Sequence, residues 1–430
     1  MLPRSLLEVW GDEVGFPSRL SIPEEVLRIA RKLEDAGFET WCVGGAVRDN
    51  LLGYASKDFD LATAATPTEV CKLFRRTIPI GIEHGTVAVL DKNGRPHEVT
   101  TFRRDVQTDG RHAVVEFGVS LEDDLARRDF TINAIAHHPL QYDWRDPFDG
   151  AADLAAGTIR AVGDPMQRFR EDYLRIMRAL RFAARFGFTI EADTWNAAKA
   201  NTAGLKHLSA ERVREEWLRG IQGAQKVSKL VEMWSCVGAL RTWLEELVLE
   251  AAPGSERLAV VDRFKKPDPV LITAYLSSDA ATTLTRLRCS NADIARGAAI
   301  CEFKGSVPDP SSEVEVRRWM SQTGSAVDDL VSIAMAEERG ESLGAAVEDV
   351  RLSGAPLRIS DLAVSGDDLA EIGIPEGPEV GKIVRALLEA VIEQPALNTK
   401  PQLLNLAREL RTAGFTPGSQ LRGNGGSQQA

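Results

Sequence analysis

The 21-residue stretch VGGAVRDNLLGYASKDFDLAT, Val43 to Thr63, joins a glycine pair to two aspartates set one residue apart. The β-like run FETWCV leads into Gly44 and Gly45, and a helix start follows. Glycines let the backbone approach an anionic group, and a helix N-terminus supplies N–H donors and positive potential. Arg48, on the first turn of that helix, is placed to reach the same anion. If KDFDLAT is a strand, Asp58 and Asp60 point to one face, because strand side chains alternate with a period of two. Two carboxylates on one face repel unless a cation sits between them. Mg²⁺ meets that need, since it is commonly held by one or two carboxylates plus substrate phosphates. Alone, a Gly pair also suits a plain strand–turn–helix corner, and a lone DxD suits surface acids. In succession they describe a site for a nucleoside triphosphate and its metal, where catalysis is mostly positioning and charge stabilisation.

Working outward, a third carboxylate is expected, either as a further metal ligand or to take a proton from an attacking hydroxyl. Glu98, in the β-like run HEVTTF, is the best placed; Glu83 and Asp91 are poorer candidates. The runs GTVAVLD, HEVTTF and VVEFGV are rich in β-formers and separated by turn residues, such as NG at 93–94 and DG at 109–110. PEEVLRIARKLEDAG reads as a helix ending on Gly37, and TPTEVCKLFRRT as one with Thr66 as N-cap and Pro67 at its first position. From about residue 151 the pattern becomes almost wholly helical.

The organisation expected is an N-terminal segment 1–21, an α+β head 22–150, a helical neck 151–222, a helical body 223–345 and a helical tail 346–413. The Gly/Ser/Gln-rich tract 414–430 is expected to be disordered. At 430 residues the chain exceeds a single core, and 43% apolar with 27% charged residues fits a soluble globular protein. Five scattered cysteines with no CxxC pair suggest neither disulfides nor zinc. No signal peptide or membrane span is read, so a cytoplasmic location is expected. The net charge of −11 argues against a purely electrostatic nucleic-acid binder but leaves room for a local basic groove.

That local feature lies in REDYLRIMRALRFAARFGF, Arg170 to Phe188. Between Arg160 and Arg185 there are seven arginines, no lysine and three acids, a net of +4. Asp172, Arg175, Arg178 and Arg181 recur every third residue and fan slowly around one side of a helix, while Leu174, Met177, Leu180 and Ala184 cover another. A guanidinium fork suits phosphates and base edges. Asp172 beside Arg175 offers an acceptor and a donor of the kind needed to read a base. In LARRDFTINAIA, Leu125 to Ala136, two arginines precede an apolar run read as helical; Arg128 is a candidate for triphosphate and Asn133 for a sugar hydroxyl.

Taken in order, VGGAVRD, KDFDLAT, HEVTTFR, LARRDFTINAIA, VGDPMQRFREDYLRIMRALRF and LSAERVREEW resemble the class II tRNA nucleotidyltransferases, the CCA-adding enzymes, which share their head with bacterial poly(A) polymerases. The motif-bearing match covers about residues 22–222, and the block from Leu362 to Leu404 is similar to the family's tail. The resemblance implies a nucleotidyltransferase head of the DNA polymerase beta superfamily with a mixed sheet, followed by an all-α neck, body and tail. It implies that Gly45 and Arg48 contact the triphosphate and that Asp58 and Asp60 bind catalytic Mg²⁺. Arg128 would contact the incoming nucleotide with Asn133 on its sugar side, and Asp172 and Arg175 would pair with the Watson–Crick edge of CTP or ATP. Arg178 and Arg181 would orient that pair and the triphosphate, and the body and tail would hold the acceptor stem of tRNA by its shape and backbone. The polar loop Phe102 to Ala113 resembles the mobile element of the C-to-A switch. A poly(A) polymerase, a partial CC- or A-adding enzyme, and an inactive RNA- or nucleotide-binding module are the alternatives.

Overall fold

The structure, a computed structural model, describes residues 15–56, 58–108, 113–247, 255–374 and 377–412. Lys57, the Asp109–Gly110 turn and the 414–430 tract lie outside the described residues. Two compact units divide the chain at 298/299, inside the 223–345 segment that the helical pattern groups together.

The first helix, α1 (Glu24–Glu34), buries Val26, Ile29, Ala30 and Leu33, the i, i+3, i+4, i+7 stripe of an amphipathic helix. Gly37 then adopts φ +87° and turns the chain into β1 (Thr40–Val43), which is buried along its whole length. After α2 (Gly45–Leu51) come β2 (Asp60–Thr63) and α3 (Pro67–Leu73). The α3 start matches its sequence signal: Thr66 Oγ1 accepts from the Glu69 amide, and the Glu69 carboxylate accepts from the Thr66 amide, a reciprocal capping box. Next are β3 (Thr77–Gly81), β4 (Thr86–Leu90) and β5 (Pro96–Thr101); the last two are joined through Gly94 at φ +82°.

A separate antiparallel ladder pairs β6 (Arg103–Thr108) with β7 (Ala113–Phe117). The short helix α4 (Leu121–Ala126) precedes β8 (Ala136–His137) and β9 (Trp144–Arg145). Seven strands make one mixed sheet in the order β3-β4-β5-β2-β1-β8-β9, with β2 and β5 parallel and the other pairs antiparallel. Strands β3, β6, β8 and β9 had no sequence signal: β6 occupies Arg103–Thr108 of the stretch expected to be a polar loop, where pairing with β7 overrides its polar composition, and the last two hold only two residues each, too short for a period to show.

LARRDFTINAIA is not one helix. The chain leaves α4 at Ala126, makes a 3₁₀ turn at Thr131–Asn133 and enters β8. Its apolar run is buried throughout, and period alone cannot assign a short, fully buried run. Helix α5 (Gly150–Ala155) and strand β10 (Thr158–Ile159) lead to α6 (Pro165–Glu171) and α7 (Leu174–Phe186), which ends at Gly187 with φ +68°. The arginine-rich stretch is therefore two helices broken at Asp172, whose backbone is extended (φ −153°, ψ 106°). Strand β11 (Thr189–Ile190) pairs with β10, and α8 (Ala192–Ala200) and α9 (Ala210–Gly223) follow; α7 packs against α9. Among the described residues, the regular elements in the rest of this unit are all helices.

The second unit has its own core, built by Leu369, Ile383, Leu387, Val391, Leu403 and Ala407 from three of its helices. No helix among the described residues is long and apolar enough to cross a membrane.

Candidate active site

Gly44 is the N-cap of α2 with φ +75°, a conformation that costs an L side chain but not glycine. A Cβ at Gly44 would stand 3.1 Å from Arg128 Nη1, so the bare backbone lets that guanidinium approach the corner. Arg128 is aligned by Asp124, whose Oδ2 accepts from Nη2 at 3.0 Å while Oδ1 accepts from Arg127. Burial disfavours the Asp124 charge, but Arg128 and Arg127 outweigh it and lower its pKa. The Nε of Arg128 is buried without a hydrogen-bond partner.

KDFDLAT is a strand only from Asp60 onward; Asp58 and Phe59 precede it, with Phe59 buried and Asp58 and Asp60 on either side of it exposed. Asp60 opens β2, and the parallel register that pairs Leu61 with Val99 sets it beside Glu98 of β5. Although Asp60 reaches solvent, protein crowds its carboxylate: burial, then Glu98 and Asp58, push its pKa up to about 6 against the opposing pull of Arg128. Asp58 has Arg95 Nη2 at 3.5 Å, both side chains largely exposed. Asp91 is spent within its hairpin, where Oδ1 accepts from the Asn93 and Arg95 amides, and Glu83 lies in an exposed turn. Of the three candidate carboxylates, only Glu98 stands on the strand beside Asp60.

The crowding of like charges around Asp60 is what a divalent cation would relieve, so Asp58 and Asp60 fit such an ion. Among the described residues no group of three or more His, Cys, Asp or Glu forms a ready cage. Phosphate oxygens and water would have to complete the shell, as is usual for Mg²⁺.

Arg48 and Asn133 are placed differently from the expected direct contacts. Arg48 is 3% exposed and lies beneath the glycine corner. Its Nε and Nη2 donate to Asp49 at 2.8 and 2.6 Å, its Nη1 donates to Asn133 Oδ1 at 2.5 Å, and its plane lies over Phe182 and Phe186. Burial pulls its pKa down, with Asp49 opposing. Asn133, also buried, donates to Asp129 Oδ1 at 2.9 Å. Neither side chain faces solvent; both brace the corner from behind.

The arginines of α7 are each matched to an acceptor. Arg175 donates to the carbonyls of Arg168 and Arg127, both at 3.0 Å, and to Glu171 at 2.7 Å. Arg178 Nε donates to Asp129 Oδ2 at 2.7 Å, Arg181 Nε to Glu216 at 2.6 Å, and Arg185 to Asp49 at 2.9 Å. Burial opposes ionisation of Asp129, yet Arg178 and the Asn133 amide hold its pKa at about 2. Asp172 Oδ1 accepts from the Leu174 amide at 3.0 Å, capping α7, and Oδ2 accepts from Arg212 at 2.6 Å. The hub is Arg127–Arg128–Asp129, whose three residues touch Arg175, the glycine corner and Arg178 in turn. Residue typing had missed Asp49, Asp124, Asp129 and Glu216. The signal lay in plain view for the first two, since Asp49 adjoins Arg48 and Asp124 stands three and four positions before Arg127 and Arg128.

Residues 40–160 match the family model described as the poly A polymerase head domain, and 187–248 that described as a probable RNA- and SrmB-binding site of polymerase A. The CCA-adding enzyme of Leuconostoc mesenteroides is 35% identical over 408 residues, spanning 90% of this chain and 97% of that one. That of Levilactobacillus brevis is 36% identical over 408 residues, spanning 89% and 98%. The crystal structure of the Bacillus stearothermophilus CCA-adding enzyme in complex with CTP superposes with a TM-score of 0.76 at 31% identity, over 91% of this chain and 98% of that one. With relatives of this identity matched along nine-tenths of its length, the chain belongs to the CCA-adding enzymes, a family of tRNA nucleotidyltransferases.

Proposed function

We propose that the protein adds C, C and A in turn to the 3′ end of tRNA, using CTP and ATP, without a nucleic-acid template and with release of pyrophosphate. The observation that carries this reading is the hub Arg127–Arg128–Asp129, which ties the arginine helix to the glycine corner within one compact unit. The glycine corner and Arg128 receive the triphosphate, with Arg48 and Asn133 bracing that corner. Asp172 and Arg175, at the break before α7, face the base; Arg178 and Arg181 keep the helix in place. Asp58 and Asp60 hold a divalent cation, Mg²⁺ in this reading, which supplies charge neutralisation at the phosphate oxygens.

The terminal 3′-hydroxyl of tRNA forms a bond to the α-phosphorus as the bond to the β-phosphate oxygen breaks. Glu98, next to Asp60, accepts the hydroxyl proton. Selection between bases comes from protein groups, because a carboxylate and a guanidinium supply the acceptor and donors that a complementary base would.

Purified protein incubated with Mg²⁺, CTP, ATP and a tRNA transcript lacking its last three nucleotides is expected to restore CCA, read by sequencing the 3′ ends. Absence of incorporation overturns the enzyme reading, and long A-tails on unrelated RNA identify a poly(A) polymerase instead. Arg175→Ala is expected to relax discrimination among the four nucleotides while tRNA binding persists.

A further inference from the structure

The sheet has a second face. Along β5, His97, Val99 and Thr101 are buried, while Pro96 and Glu98 are exposed. Glu98 pairs with Ala88 of β4, and His97 with Val89. Helices α1 and α3 cover the His97 and Val89 side, opposite the carboxylates. On that covered side a groove of about 530 Å³ opens between α1, the residues just after α3 and the end of β4. Its size is within the range of small-ligand sites.

Five cations line the groove, namely Arg28, Lys32, Arg75, Arg76 and Lys92, against two acids, Glu25 and Asp91. Neither acid leaves its charge free for them. Glu25 is paired with Arg28, and Asp91 is turned into its own hairpin, where it accepts two amides and stands 3.5 Å from His97. Arg76 spends one nitrogen on the Asp91 carbonyl at 3.1 Å. Arg75 and Lys92 are exposed and have no carboxylate partner among the described residues. Lys32 Nζ lies 4.8 Å from the centre of the Phe74 ring, a cation held over an aromatic face. The Nε of Arg28 is buried and has no hydrogen-bond partner. A donor without an acceptor, exposed cations without a carboxylate partner and an aromatic ring around one groove make a local positive patch in a chain of net charge −11.

We infer that this groove binds phosphate groups, as a second site separated from the nucleotide-transfer face by the thickness of the sheet. The shared chemistry is a phosphate, carried either by an RNA backbone or by a small free anion such as pyrophosphate. The guanidiniums and ammoniums supply charge-assisted donors, and the Phe74 ring supplies a surface on which a base or ribose can rest.

The test uses the full chain and the double variant Arg75→Glu/Lys92→Glu, with Arg28→Gln as a second variant that removes the buried Nε donor and frees Glu25 from its ion pair; circular dichroism checks that each is folded. Pyrophosphate titrated calorimetrically into metal-free protein is one arm. The other is the KM and kcat for a tRNA substrate over a salt series. If the ligand is a free phosphate, a pyrophosphate site present in wild type weakens about tenfold or more in both variants, with tRNA kinetics unchanged. If it is RNA backbone, KM for tRNA rises, kcat stays, and the double variant's salt slope falls by about two, one per lost phosphate contact. Unchanged pyrophosphate binding together with unchanged tRNA KM and salt slope overturns the site. The pyrophosphate arm reads the groove even if the proposed transfer reaction were wrong.

Discussion

Asp60 carries the sharpest electrostatic consequence. Its carboxyl is raised to about 6 by burial, Glu98 and Asp58. A carboxyl whose folded pKa exceeds its unfolded value, near 3.9, stabilises the fold below the unfolded value and loses that contribution as pH rises through 6. Asp60→Asn should therefore raise the Tm of metal-free protein at pH 8, and the gain should vanish by about pH 4. The size should be roughly 1 kcal/mol, less than the shift alone converts to, because solvent screens an exposed carboxylate. Adding a divalent cation should stabilise wild type and not the variant. A Tm difference that stays constant between pH 4 and pH 8 would show that the crowding of charge is not felt. At Gly44, whose φ of +75° and ψ of −136° strain any residue with a Cβ, alanine would cost about 1–3 kcal/mol. It would also press a methyl toward Arg128 Nη1, 3.1 Å away, so nucleotide KM should rise. An unchanged KM would show that this corner does not receive the nucleotide. At this scale the sequence was informative for the exposed, buried, exposed order of Asp58, Phe59 and Asp60, although the strand expected to impose it begins only at Asp60. It was silent on the burial of Arg48, because whether a guanidinium meets solvent or Phe182 depends on a helix 134 positions on.

The element that decides the site is α7 with its partner α9. Glu216, 5% exposed, accepts from Arg181 and stands 3.9 Å from Arg178. Removing one partner of a buried ion pair leaves the other charge uncompensated. Glu216→Ala should lower stability by about 3–5 kcal/mol in urea unfolding, and Glu216→Gln by less, since an amide oxygen still accepts. Equal losses for the two would mean that packing, not charge, holds the pair of helices. The helical spacing of the arginines was legible over Leu174–Phe186 and misleading before it. The break at Asp172 has one local mark, its carboxylate accepting from the Leu174 amide, but the even arginine spacing masks it. The break is fixed by Arg212, 40 positions on, gripping that carboxylate, and by Gly204, where a Cβ would fall 2.0 Å from the Tyr173 ring. The expected helix in LARRDFTINAIA failed for a related reason: its apolar residues satisfy a buried strand as well as a buried helix.

On the scale of the whole molecule, the carboxylates, the glycine corner and the arginine helix all belong to the 1–298 unit, and the 299–430 unit has its own core. Ligand binding stabilises the structure it binds by about 2.7 kcal/mol at a hundredfold excess over Kd. CTP with a divalent cation should therefore slow hydrogen exchange across β1, β2, α2 and α7 and leave the helices between 366 and 412 unchanged. Protection confined to 366–412 would place the nucleotide in the wrong unit.

The sequence by itself determined what short-range covalent geometry controls. The glycine turn into α2, the exposed, buried, exposed order of Asp58, Phe59 and Asp60, the capped start of α3 and the arginine spacing of α7 each depend on residues within a turn or two. Only the tertiary structure decided which acid answers which arginine. Asp129 meets Arg178 across 49 positions, Glu216 meets Arg181 across 35, and Asp49 meets Arg185 across 136. A buried charge demands a partner because desolvation is costly, but any acid brought within reach can meet that demand. Which one arrives is set by how the sheet and helices close on each other.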